Sequence, residues 1–544
     1  MLIRWLGIWF DSKLSFKDHI EKRINLANAA LYRLKRLSNT QKGLDSTANR
    51  RLYIACITSI SDFGIQLWWN NRAKKTLLLK YQKLQNAAIR QITGAFKNTP
   101  HKALEIEAAI PPPEVRFERL CNRYSIRSLV FNNNHPVRSL INDISDELGN
   151  SETASADYTT NLRYTRTHTQ LFKLIKRLNQ FKYSRQIEEI NTDRPPWELK
   201  PLIDISISPL SKKQQAKEHK RLLESLFEED FLEKAIFYTD GSQGEYNNKL
   251  QNSASLCQIK KKNGQLRINQ GRYWNLGHEI EVIDAEIFAI YKVLQLIDEK
   301  QPEIKIDEIY IFVDSQAAIL RIKNRNINHI TKKIHEYANQ LAIKGYKISI
   351  QWCPGHEKVF GNEIADKLAK KGLTSLIDIE AYTSLSFIRR KAKYIDEENW
   401  KKEWNSTNQG KGVFYESLVK DNIQFQRKPA ILEMPRKNQS AFIQLKTQIG
   451  YLKSYFFKLG RAENIYCFCN RYKKQTTFHL IMECRKYNDK RLDLRNSLKS
   501  EKLPLTLQVL FCTKKGKKAL ADFLISTEIC TAKWYTSAGR IEDI

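Results

Sequence analysis

Hydrophobic residues along the chain follow a helical period in some stretches and a strand period in others, and the change between the two divides the sequence. Residues 15–38 read as a helix: Ser15 can cap it, and Phe16, Ile20, Ile24, Ala27, Leu31 and Leu34 recur every three or four positions. That apolar face needs a partner, which the apolar stretches 52–69 and 77–92 can supply. Ile110 and the three prolines after it punctuate the far end, so residues 1–130 are expected to form a compact helical region. Residues 131–230 are irregular. Asn132-Asn-Asn-His-Pro, a Ser- and Thr-rich stretch over 151–160, Asp193-Arg-Pro-Pro and a polar run from Ser211 predict a linker with some helix.

From residue 231 the pattern changes. Ala235-Ile-Phe-Tyr-Thr is a short apolar run that reads as a buried strand stopping at the turn Asp240-Gly-Ser. Residues 253–260 and 265–274 flank Asn263-Gly264, the strongest short-range hairpin signal. A helix over about 280–299 places Ile283, Ile287, Ile290, Tyr291 and Leu294 on one face. Ile309-Tyr-Ile-Phe-Val is a second buried strand, ending at Asp314; helical segments follow over 316–343. Tyr346, Ile348, Ile350 and Trp352 then alternate with polar residues as a half-buried strand, and a last helix covers 361–372. The order predicts an α/β fold over 231–375, a mixed five-stranded sheet with flanking helices. Residues 376–450 read as a helical connector and 451–544 as a separate C-terminal region. Within them, 444–457 interleaves basic and aromatic residues, which fits an amphipathic core helix better than a nucleic-acid contact.

Composition narrows the class. The 544 residues are 42% hydrophobic, too apolar for disorder throughout, yet 91 Lys and Arg against 59 Asp and Glu leave a net charge of +32. Such an excess on a foldable chain points to nucleic acid as partner. Residues 231–375 hold 21 Lys and Arg against 17 Asp and Glu, net +4, so +28 lies in the flanks and most of the affinity for a polyanion is expected there. Nine scattered cysteines are not a disulfide framework and suggest a reducing, intracellular setting. The N-terminus does not read as a secretory signal, and 52–69, which carries Asp62, is too polar to span a membrane.

The chemistry lies in the acids. A carboxylate at the end of a buried strand is costly unless compensated, and Asp240 and Asp314 both stand at such ends. Glu286, in Asp284-Ala-Glu286, and Asp366, in Gly361-Asn-Glu-Ile-Ala-Asp366, are on helices that could aim them at the same point, with Asp284 a rival to Glu286. Four carboxylates without Cys or His ligands nearby describe a hard-oxygen site for Mg²⁺ or Mn²⁺.

Tyr238-Thr-Asp240-Gly-Ser, Asp284-Ala-Glu286, Val313-Asp314-Ser-Gln-Ala-Ala, Trp352-Cys-Pro-Gly-His356 and Gly361-Asn-Glu-Ile-Ala-Asp366, in this order and spacing, resemble type 1 ribonuclease H. The resemblance implies that Asp240, Glu286, Asp314 and Asp366 hold two Mg²⁺ ions across a scissile phosphate, with His356 assisting proton transfer or product release unless it is merely structural. It implies cleavage of the RNA strand of RNA–DNA hybrids, whose 2′-hydroxyls line an accessible minor groove. The N-terminal segment from Trp5, with Tyr53 and Trp68-Trp69, resembles the stretch after the palm in reverse transcriptases of non-LTR retrotransposons. No Tyr-x-Asp-Asp pair precedes it, so polymerase activity is not expected of this chain. Near the other end, Cys467, Cys469, His479 and Cys484 present three thiolates and an imidazole, a complete tetrahedral set for Zn²⁺, and similar clusters follow ribonuclease H domains in such retroelements. In 440–500 little core is expected without that metal. A catalytically silent retroelement remnant that binds nucleic acid is the alternative function.

Overall fold

The computed structural model describes residues 2–69, 75–131, 135–141, 185–188, 203–228, 233–299, 307–324, 329–378, 380–406, 410–420 and 434–539, with isolated residues at 173, 174, 177, 423 and 425. Much of 131–230, including 151–160 and 193–196, lies outside them. The chain forms two compact units: Met1–Asn122 with Lys393–Ile544, and Arg123–Ala392.

The first unit opens with a hairpin of β1 (Leu2–Trp5) and β2 (Ile8–Asp11), followed by helices that include α1 (Lys17–Leu34), α2 (Ser46–Leu52), α3 (Lys75–Thr93) and α4 (His101–Ala108). Helix α1 buries Ile20, Ile24, Ala27 and Leu31, the face its periodicity marks. Ile20 and Ile24 pack with Trp68, Trp69, Tyr81 and Phe117. Below them Arg116 donates 2.7 and 3.1 Å hydrogen bonds to the two carboxylate oxygens of buried Asp62. Such a pair is satisfied only when both groups are fixed together.

The second unit is the sheet. It adds β3 (Ile203–Ser206), α5 (Lys212–Glu228), β4 (Lys234–Tyr246), β5 (Lys249–Lys262), β6 (Gln265–Gly277), α6 (Val282–Glu299), β7 (Glu308–Val313), α7 (Gln316–Lys323), α8 (His329–Ile343), β8 (Lys347–Trp352) and α9 (Phe360–Gly372). Strand order is β3-β8-β7-β4-β5-β6. β3, β8, β7 and β4 run parallel, and β4, β5 and β6 are antiparallel neighbours. Both faces are covered, which is why β4 and β7 read as unbroken apolar runs. Ala235 and Phe237 face the core made with α6, α7 and α8, while Ile236 and Tyr238 face the one made with α5 and α9.

Two expectations are corrected. The sheet has six strands, not five, because Ile203 and Ile205, from the stretch read as linker, pair in parallel with Ile348 and Ile350. Four residues at an edge are too few to stand out as a period. The first strand also does not stop at Asp240. Its pairing with β7 ends at Thr239↔Val313, but its pairing with β5 runs on through Asp240↔Ser255 to Tyr246↔Lys249. Asn247 and Asn248, both at positive φ, make the actual turn.

The chain then returns to the first unit, where α10 (Arg436–Thr447), β9 (Tyr466–Cys467), β10 (Asn470–Lys474), α11 (Asn488–Ser500) and α12 (Lys514–Thr527) are its main elements. Their apolar residues pack with those of the N-terminal segment. Phe442, Leu480, Phe511 and Leu524 share one core with Leu31, Ile57, Ile89 and Ile92 from the N-terminal segment. Buried polar contacts lock the two segments together. Arg436 donates to the backbone oxygens of Ile92 and Gln91 at 2.8 and 2.6 Å, and Lys446 and Tyr415 both donate to Glu107 at 2.6 Å. Residues 436–447 are buried almost throughout, but the basic and aromatic stretch 444–457 is not one core helix: α10 ends at Thr447, Gln448 stands at φ 56°, and a second short helix, Lys453–Lys458, carries the partly exposed Phe457. Among the described residues no helix is long and apolar enough to cross a membrane.

Candidate functional site

Sheet register builds the site. Thr239 and Val313 are paired across the parallel strands β4 and β7, so Asp240 and Asp314, each one residue further on, emerge side by side. On the next layer, Asp284 in the first turn of α6 and Glu286 in the second are both buried but diverge. Asp284 accepts a 2.6 Å ion pair from Arg321, while Glu286 reaches the two strand-end acids. Gly241 permits this approach: a Cβ there would lie 2.9 Å from the backbone nitrogen of Glu286 and 3.0 Å from its Cγ. The rivalry left open by Asp284-Ala-Glu286 is thus resolved by the phase of the helix.

Oxygen atoms of Asp240, Glu286 and Asp314 lie within 4.8 Å of one another. Burial, then the charges of Asp314 and Asp366, pushes the Asp240 carboxyl up to about 7. Burial, then Asp240 and Asp314, holds Glu286 well above the usual carboxylate range. Asp314 is also raised by burial, against a hydrogen bond from Asn362 and the nearby His356, which pull it down. Three acids that disfavour one another's charge, with Glu286 Oε2 buried and without a hydrogen-bond partner, are suited to a divalent cation.

Asp366, on α9, stands at the rim. Its carboxylate is partly exposed and pairs at 2.7 Å with Lys370, one turn along the helix, while its charge still acts on Asp240 and Asp314. His356 is exposed at φ 62° in the loop between β8 and α9, close enough to Asp314 to act on its carboxyl. Gly355 beside it has no room for a side chain, since a Cβ would fall 2.5 Å from Asp314 Oδ2. The structure therefore brings Asp240, Glu286 and Asp314 together, while Asp366 and His356 lie outside that cluster, near enough for their charges to act on it. Asn362 stands inside the Gly361-Asn-Glu-Ile-Ala-Asp366 block but carries no charge or spacing signal of its own.

Residues 233–374 match the RNase H family model. They are an RNase H domain. A curated relative, the probable RNA-directed DNA polymerase from transposon BS of Drosophila melanogaster, is 29% identical over 124 residues, 23% of this chain. The chain spans 14% of the length of that relative. Among solved structures, RNase H1 from Halobacterium salinarum NRC-1 aligns at 20% identity over 26% of this chain and 97% of its own, TM-score 0.20. The prototype foamy virus protease–reverse transcriptase aligns at 21% identity over 27% of this chain and 22% of its own, TM-score 0.22.

A second cluster lies outside the RNase H domain, in the other unit. Ligand atoms of Cys467, Cys469, His479 and Cys484 also lie within 4.8 Å of one another. Cys467 and Cys484 sulfurs are 3.9 Å apart, and Cys469 Sγ is 3.2 Å from His479 Nε2. The Cys484 thiol beside it, more than any other group, draws Cys467 down to about 5, and the same pairing drives Cys484 up. The other imidazole nitrogen, Nδ1, is 3.4 Å from Glu483 Oε2, the kind of outer partner that orients a metal-bound histidine. Arg491 fixes the chain here by donating to the backbone oxygens of Cys484 and Ile481 at 2.7 and 2.8 Å. None of the nine cysteines is in a disulfide.

Proposed function

We propose that the RNase H domain hydrolyses the RNA strand of RNA–DNA hybrids as part of a retrotransposon-derived protein. The observation that carries this reading is the convergence of Asp240, Glu286 and Asp314 within 4.8 Å, with an unpartnered oxygen on Glu286. In this reading those three acids, with Asp366 at the rim, hold two Mg²⁺ or Mn²⁺ ions. Bound there, the ions would activate water and stabilise the leaving 3′ oxygen. Asn362 hydrogen-bonds the Asp314 carboxylate, and Gly355 leaves it room. His356, exposed and near Asp314, is placed to take up or deliver a proton at the edge of the site. The flanking positive charge holds the polyanion, in keeping with net +28 outside 231–375. For the second cluster we propose one Zn²⁺ held by Cys467, Cys469, His479 and Cys484.

The test is incubation of the purified chain with a hybrid carrying a labelled RNA strand, with and without Mg²⁺. Cleavage of the RNA strand only in the presence of the ion is expected. Asp314→Asn should lose at least about 10³-fold in rate while keeping its fold and its hybrid affinity, because the amide keeps the shape but not the charge. Undiminished cleavage by that variant would overturn the assignment of the site.

A further inference from the structure

We propose that Lys212, on a helix upstream of the matched RNase H region, binds a phosphate of the cleaved strand next to the scissile position. The proposal rests on the hybrid-cleaving reading and adds to it a residue from a stretch whose sequence reads as linker.

Helix α5 is held against the sheet at several points along its length. Leu226 joins the core formed by Ile236, Tyr238 and Phe312. One face higher, the His219 ring lies edge-on to Phe312 with centroids 4.5 Å apart, and its Nε2 is 2.7 Å from the Tyr238 hydroxyl. Four residues earlier, on the same face, Gln215 donates a 3.5 Å hydrogen bond to the Trp352 carbonyl. Trp352 in turn donates from its indole nitrogen to the backbone oxygen of Asp314 at 3.1 Å. The first turn of α5 is therefore pinned to the strand that precedes His356 and, through Trp352, to the acid at the end of β7. Ser211 marks its start, donating 2.7 Å from its hydroxyl to Gln214.

Lys212 is three residues before Gln215, in that pinned first turn, so its backbone is tied through Gln215 and Trp352 to the end of β7. Its side chain is exposed, and among the described residues no carboxylate lies in ion-pair range of it. The result is an exposed cation whose backbone is anchored near the acid at the end of β7 and which, among the described residues, has no ion pair. A lysine in this position meets the phosphate next to the one at the acids, as a compact point charge that tolerates variation in backbone geometry. It carries no base information, so its contribution is affinity and register along the strand.

The experiment uses the full chain and compares wild type, Lys212→Ala, Lys212→Arg and, as control on the same helix, Lys220→Ala, whose side chain instead neighbours Glu224. Hybrid cleavage is measured in Mg²⁺, and hybrid binding is measured in Ca²⁺ over a range of salt. For Lys212→Ala we expect KM to rise about tenfold with kcat within about twofold, as for loss of a charge-assisted contact made equally in ground and transition states. The slope of log affinity against log salt should become shallower by about one. Lys212→Arg should recover most of both, and Lys220→Ala should match wild type. A Lys212→Ala protein with wild-type KM and salt slope would overturn the proposal. A wild-type chain that binds hybrid without cutting it would instead overturn the nuclease reading, and the salt slopes would still decide the role of Lys212.

Discussion

Arg119 and Asp396, on opposite sides of the RNase H unit in sequence, approach to 3.9 Å between the guanidinium and the carboxylate. The points where the chain leaves the first unit, after Asn122, and re-enters it, at Lys393, are thus brought close together, so the sheet unit has the form of an insertion into a helical one. Joining residue 122 to residue 393 through a short Gly/Ser linker should therefore give a folded protein with a single cooperative thermal transition. Calorimetry checks this. A protein that aggregates or melts without a transition would show that the two terminal segments need the insertion to find each other.

Zinc is expected to act on both of those segments. Cys467 and Cys484 belong to the same core as Leu31, Ile89 and Ile92, so loss of the metal should loosen residues 1–122 as well as the C-terminal stretch. Cys484→Ser should lower the metal content from about one Zn²⁺ per chain to near zero, as should a chelator, and should make the N-terminal helices sensitive to protease. Proteolysis confined to 460–490 would contradict this coupling.

The RNase H domain is expected to need more chain than its family match covers. Cutting at residue 231 removes α5, exposing Ile236, Tyr238 and Phe312, and leaves β8 as a bare edge by removing β3. Fragment 231–375 should be less stable than fragment 123–392 by about 3–5 kcal/mol, the usual scale for uncovering several large core side chains. Urea unfolding of the two fragments measures the difference.

His219 is expected to give the sheet unit an acid-sensitive step. Burial pushes its imidazole down to about 4, against an unfolded value near 6.5. A depressed value means that the neutral form is the folded one. Its contribution is present above pH 6.5 and is lost as pH falls towards 4, at up to about 1.4 kcal/mol per pH unit. His219→Gln, which keeps a hydrogen-bonding group for Tyr238, should have a flatter stability profile between pH 6.5 and 4 than wild type. Parallel profiles would mean that the imidazole titrates freely.

Much of the candidate site was legible locally. Ala235-Ile-Phe-Tyr-Thr and Ile309-Tyr-Ile-Phe-Val are apolar throughout because each strand is buried on both faces, and a carboxylate directly after such a run is conspicuous. The Asn263-Gly264 turn and the faces of α1 and α6 likewise depend on neighbours a few residues apart, where spacing and geometry are nearly the same information. Other features depend on contacts between distant residues, for which spacing carries no signal. Whether Asp284 or Glu286 faces the strand-end acids is set by how α6 seats on Gly241 and by Arg321 waiting for Asp284. β4 runs past Asp240 because β5 continues beside it after β7 has ended. β3 is four residues whose strand character comes from the edge of β8 more than from their own pattern. The common core of the two chain ends is the extreme case: Arg436 is an ordinary surface cation by type, and it is buried only because the carbonyls of Gln91 and Ile92 are left at a helix end for it to satisfy.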